Sequence, residues 1–218
     1  RIDRFSTVGA SLRYFSLGNI TFTDDFGTTI RDFKPNELSL DVVYSRKLSD
    51  NFSAGLSARY IYSNLTGGQS AGGIETVAGQ SIAADLAGYY AKPVRIGGQD
   101  MDLTVGLNVS NIGSKVSYTE TSIRDFIPIN MRLGSAVEAD IDEYNKISLA
   151  FDLNKLLVPT PPITDDGEIK LGQSSDVGVV SGIFQSFGDA PGGFSEEIRE
   201  INYSIGTEYW YANQFALR

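Results

Sequence analysis

Hydrophobic and polar positions alternate one by one through eight stretches of the chain, and a ninth begins near its end. Val8, Ala10, Leu12 and Tyr14 face Thr7, Gly9, Ser11 and Arg13; Leu38, Leu40, Val42 and Tyr44 face Glu37, Ser39, Asp41 and Val43. The pattern recurs over Phe52–Tyr62, Ser81–Leu86, Leu103–Ser110, Ile129–Glu138, Ile147–Asn154 and Ile201–Tyr211, and restarts at Phe215. A period of two is the mark of a β-strand with one apolar and one polar side. The stretches reach about 10 residues against ~5–6 in soluble sheets, and about 10 tilted residues cross a hydrocarbon layer.

The polar side separates a membrane sheet from a soluble one. A face turned to water carries Lys, Glu and Thr; here it carries Gly, Ser, Ala and Asn, with isolated Arg13, Arg59, Arg132, Asp41, Asp85, Asp152 and Glu208. Small residues with scattered opposite charges suit an enclosed lumen in which charges pair. The expected architecture is a transmembrane antiparallel β-barrel; a soluble ligand-binding barrel is the alternative.

The connections fit the same picture. Short links fall at Ser49-Asp50-Asn51, Ala139–Asn145 and Ala212-Asn213, with a middling one over Lys92–Asp100. Long links cover Gly18–Asn36, Ser63–Gln80, Asn111–Pro128 and Leu156–Glu200. Long and short alternate, as in barrels with short periplasmic turns and longer extracellular loops. On that polarity Tyr44, Phe52, Tyr90, Tyr209, Tyr211 and Phe215 gather at one rim and Tyr14, Tyr60 and Tyr62 at the other, as two aromatic girdles.

Leu156–Glu200 is too long for an idle connection. It opens with the stiff run Val158-Pro159-Thr160-Pro161-Pro162, after which Ser174, Ser175 and Asp176 are placed to cap a short helix. Val177, Val180, Phe184 and Phe187 would share one face of it, and Ser195-Glu196-Glu197 could start another turn. That apolar face either packs on the barrel mouth or, since exposed apolar groups need cover, binds a partner. The candidate contact set is Val177, Val180, Ile183, Phe184, Phe187 and Phe194.

The composition removes other functions. Histidine and cysteine are absent, which excludes thiol catalysis, Ser-His-Asp triads and the common zinc sites. No enzyme activity, cofactor or metal is expected. The formal charge of −9, from 18 basic and 27 acidic residues, disfavours nucleic acid as a partner. No run of about 18 apolar residues could span a bilayer as a helix. Gly67–Gly73 lacks the Gly-Lys-Ser/Thr ending of a phosphate cradle and reads as a flexible loop. Asp24-Asp25 and Asp165-Asp166-Gly167 lack calcium-loop spacing and read as turns. Arg59 and Asp85 read as a structural pair. The chain opens and ends inside a strand pattern, so it reads as a fragment of one barrel domain, residues 1–218.

Several runs resemble a family, and the specific part is Asn154–Pro162 with the Phe-rich loop that follows it. They are Val109-Ser110-Asn111-Ile112-Gly113-Ser114-Lys115-Val116, Phe126-Ile127-Pro128-Ile129-Asn130-Met131-Arg132-Leu133-Gly134, and Phe151-Asp152-Leu153-Asn154-Lys155-Leu156-Leu157-Val158-Pro159-Thr160-Pro161-Pro162, followed by Gly182–Phe187 and Asp189–Phe194. With these the chain resembles the PorV (LptO) family of the type IX secretion system of Bacteroidetes. The resemblance implies a FadL-like barrel of fourteen strands, about nine of them present here. It implies an integral outer-membrane protein, surrounded by outer-membrane lipid, that binds the C-terminal signal domain of exported cargo at the translocon barrel. The protein would pass that cargo to the cell-surface (sortase-type) attachment complex. A FadL-type channel for hydrophobic small molecules is the alternative.

Overall fold

A computed structural model describes residues 2–70, 74–120 and 124–218. Residues 71–73, the end of the glycine-rich run, lie outside the described residues. The chain is all-β, with every predicted strand present.

In chain order the elements are β1 (Ser6–Ser16), β2 (Ile20–Thr23), β3 (Thr29–Phe33), β4 (Asn36–Lys47), β5 (Phe52–Asn64), β6 (Gly79–Ile96), β7 (Gln99–Gly113), β8 (Asn130–Asp140), β9 (Asn145–Leu156), β10 (Ile163–Asp165), β11 (Glu168–Leu171), α1 (Val179–Gln185), α2 (Phe194–Arg199), β12 (Ile201–Tyr211) and β13 (Phe215–Leu217). Nine strands form one antiparallel sheet in the order β1-β4-β5-β6-β7-β8-β9-β12-β13. Each pairs with the next long strand in the chain, as a meander does. Among the described residues β1 and β13 are the sheet's edges, and the sheet does not close on itself.

The register sorts the side chains by chemistry. Leu12, Leu40, Tyr60 and Ile82 are directly opposite one another on successive strands, and so are Leu107, Leu133, Leu153 and Tyr203. Of these, Leu12, Leu40, Tyr60, Ile82, Leu107, Leu133 and Tyr203 are exposed. A slip of one residue would put the whole apolar set on the other face, so this pattern fixes the pairing. The opposite face aligns Ser11, Asp41, Arg59 and Ala83 in one row, and Gly106, Gly134, Asp152 and Ser204 in another.

Lys92–Asp100 is not a connection of middling length. β6 and β7 run on through it and join at Gly97-Gly98, both with positive φ, between the paired Ile96 and Gln99. Pro93 is tolerated inside β6 because β5 has ended there. The Ala91 N–H donates to Asn51 on the β5 side, and two residues further on nothing awaits the N–H that Pro93 lacks. Two long connections also hold hairpins that alternation did not predict. β2 pairs with β3, and β10 pairs with β11 across Asp166-Gly167, both with positive φ. Asp24, Asp25 and Asp166-Gly167 lie in turns, as expected, while Asp165 ends β10. The Asp24 carboxylate accepts the N–H groups of Phe26 and Thr28 at 3.0 and 2.8 Å.

Burial is concentrated at one end of the sheet. Ala83, Ile127, Ile129 and Leu157 form the buried cluster, and Ile61, Val116, Phe126, Val158, Val179 and Ile183 pack against it. Val116 and Phe126–Ile129, from the segment between β7 and β8, therefore fold over this end. Tyr118 donates to Ser63 at 3.0 Å, Ser63 to Glu37 at 2.8 Å, and Asn111 to the carbonyl of Pro128 at 2.9 Å.

Candidate docking surface

Two sites are organised by buried charge, one on the polar face and one in the long loop. On the polar face Arg59 reaches three partners: Asp41, Asn111, and Asp85 at 3.0 Å. A bulge in β7 makes this arrangement. Between the Ala84–Ile112 and Leu86–Val109 pairs, β7 has one residue more than β6, and Asn111 takes φ 60° there. That turn aims the Asn111 backbone N–H at Asp85 (2.8 Å), and the side-chain oxygen Oδ1 of Asn111 accepts from Arg59. Arg59 and Asp85 are thus a structural pair. A cavity of about 650 Å³ lies against this face, lined by Arg13 and Arg132 as well as the Arg59 cluster.

The long loop is anchored by Lys155, the last polar side chain of β9, which is 4% exposed. Its ammonium meets Glu197 at 3.1 Å and Glu200 at 2.8 Å, both contributed by α2 and its C-terminal end. Glu197 also accepts the Ala190 N–H at 2.9 Å, and Glu200 accepts the Thr160 hydroxyl at 2.8 Å. Burial alone would push the Glu197 carboxyl up, but the Ala190 N–H and the Lys155 ammonium outweigh it and hold the group below its ordinary value. Asp189 ties the start of the loop to its middle, accepting from the Thr160 N–H at 3.0 Å and from Gln185 at 3.2 Å.

This scaffold decides which apolar groups are free. α1 begins later than the predicted helix. Its N-cap is Gly178, with no side-chain cap, and Ser174-Ser175-Asp176 precede it. Val177 lies before the helix and is half-buried. Val179 and Ile183 face inward to the buried cluster, and Gly182 and Ser186 are buried beside them. Val180 and Phe184 (74% exposed), one turn apart on α1, face away, and so does Phe187 in the turn just past the helix's end. Phe194, at the start of α2, is 79% exposed. Val180, Phe184, Phe187 and Phe194 therefore remain exposed, whereas Ile183 helps hold the helix down. The two expected roles, packing and presentation, fall on opposite sides of one short helix. The periodicity of the sequence picked out Val180, Phe184 and Phe187 but not which side is covered, which depends on Phe126 and Pro159 far along the chain.

The loop also presents Ile163, Ile169 and Leu171 from its hairpin, all exposed. They were missed because a three-residue strand is too short to show a period.

A long-stranded antiparallel β protein, capped at one end by its own loops and carrying an exposed apolar crest there, is the class these features define. Residues 1–163 match the family model described as type IX secretion system protein PorV, and the chain belongs to that family. A role in type IX secretion follows from that membership. The matched stretch ends at Ile163, so both helices lie beyond it. No curated protein matches the chain.

Proposed function

We propose that this protein is an integral outer-membrane β-barrel that receives exported cargo in type IX secretion. It binds the C-terminal signal domain of that cargo beside the translocon barrel and hands it to the cell-surface attachment complex. The nine-stranded sheet is part of the FadL-like barrel, with its apolar face in lipid and its Arg59 face toward the lumen. A face of strands 11–18 residues long (β13 excepted) that exposes Leu12, Leu40, Ile82, Leu86 and Ile205 to solvent needs hydrocarbon around it. No described helix is long and apolar enough to cross a membrane.

One observation carries the cargo reading. Val180, Phe184, Phe187 and Phe194 stay exposed on a loop whose underside is packed and ion-paired. Apolar groups held outward by a fixed scaffold are the anchors that a partner's pocket takes. The channel reading draws less support, because Ile127 packs into the buried cluster and Tyr118 bonds to Ser63 across this end of the sheet.

Phe184→Asp combined with Phe194→Asp leaves the scaffold untouched and tests the reading. Outer membranes carrying this variant should show a normally assembled barrel and lose co-purification of secreted C-terminal domains. Normal secretion and normal cargo recovery would overturn the cargo role.

A further inference from the structure

Where Phe187 and Phe194 of the crest reach over the apolar side of the sheet, the loop forms a groove of about 180 Å³. Its floor is Leu133 on β8, Leu153 directly opposite it on β9, and Ile201 on β12, which is opposite Lys155 two residues further along β9 on the same side of the sheet. Its overhang is Phe187, Phe194 and Ile198. We propose that this groove binds one hydrocarbon chain of an outer-membrane lipid, an inference that rests on the membrane reading above.

Two observations choose a lipid chain over a peptide. The polar groups that line the groove are Lys155 and Glu197, and they are spent on each other, on Glu200 and on the Ala190 N–H. Among the described residues, the buried side-chain oxygens without a partner, on Ser57, Thr66 and Asp189, lie outside the groove. A peptide laid into the groove would bury N–H and C=O groups with nothing to pair them, a cost that hydrocarbon does not carry. The second observation is continuity. Leu133, Leu153 and Ile201 share the side of the sheet that carries Leu149, Phe151 and Ile205, so the groove floor continues the face in contact with lipid. An apolar cavity of about 150 Å³ already takes up a small hydrocarbon, and this one is of similar size and open at its edge.

The buried ion network gives the groove its shape. Lys155 fixes α2 through Glu197 and Glu200, and the Lys155 ammonium lies 6.0 Å from the centre of the Phe187 ring. The two Phe side chains are therefore held over the floor by charge pairs at its back.

The full-length protein extracted from outer membranes, washed in detergent and examined by native mass spectrometry tests this. Wild type should retain one lipid per barrel. Leu153→Trp and Ile198→Trp, which fill the groove, should lower retention about tenfold, and Phe184→Ser, outside the groove, should leave it unchanged. Where a Trp variant fails to assemble, a phospholipid with a photoreactive group on its acyl chain should label Phe187–Ile201 in wild type. Equal retention in all variants, with labelling confined to the middle of β9 and β12, overturns the groove and leaves the membrane reading intact. Recovery of the native protein from the soluble fraction overturns both. A photo-crosslinker at position 194 that captures only protein, never lipid, also overturns the groove.

Discussion

The backbone of Gly182 lies so close to Phe126 that a Cβ added to it would stand 2.7 Å from the ring and 3.1 Å from Cδ of Pro159. α1 is seated by this approach, with Val179 and Ile183 on either side of it. In an exposed helix Gly→Ala gains about 0.8–1.0 kcal/mol of propensity. Here overpacking costs about 1–3 kcal/mol, so the sign reverses. Gly182→Ala should speed proteolysis within 177–188, and Phe126→Ala added to it should restore part of the protection. Unchanged protection in Gly182→Ala would show that α1 is not seated on Phe126.

Lys155 neutralises two carboxylates away from water, and removing it strands both. Lys155→Met should cost about 3–5 kcal/mol, the penalty of an uncompensated buried charge. The loss is expected in the loop rather than the sheet, since β9 keeps its backbone pairing with β8 and β12. Faster protease cutting between Leu156 and Glu200, with an unchanged heat-modifiable barrel band, is the expected result. Adding Glu197→Gln and Glu200→Gln should recover much of it, because neutral partners no longer need the ammonium.

These two contacts show what the sequence could and could not tell. Alternation located every long strand, because one face of each is apolar over about 10 residues. It also singled out Phe184 and Phe187, whose spacing is helical. It missed the long extensions of β6 and β7, since Pro93 reads as a strand breaker unless the end of β5 is known. Lys155 stands on the side of β9 that carries Leu149, Phe151 and Leu153, and its two partners lie 42 and 45 residues away. Nothing local marks such a triad. The β7 bulge was half legible: Asn111 is a residue type that tolerates positive φ, but only Arg59 and Asp85 explain why the bulge is there.

The Glu197 carboxyl gives the loop a pH dependence. Its value in the fold is held below the ordinary 4.5, so the folded loop favours the charged form. The stabilisation is complete above about 4.5 and is lost as pH falls through the lower folded value. Amide exchange at Ala190, whose N–H donates to this carboxylate, should therefore accelerate in that acidic window relative to strand amides. Glu197→Gln should remove the dependence, and an unchanged acid response in that variant would place its origin in another group.

Asn111 combines a backbone requirement with side-chain bonds, and the two can be separated. Its φ of 60° suits glycine and asparagine and costs an ordinary residue roughly 1–2 kcal/mol. Its side chain also accepts from Arg59 and donates to the Pro128 carbonyl. Asn111→Gly keeps the bulge and loses only those bonds; Asn111→Ala loses the bonds and adds the strain. Thermal unfolding in detergent should rank wild type above Asn111→Gly, and Asn111→Ala lowest. Because Asp85 still pairs with Arg59 and still accepts the N–H of residue 111, the sheet register should survive in both. Equal stability of the two variants would mean that the bulge relaxes without strain, and that Arg59, Asp41 and Asp85 fix this corner on their own.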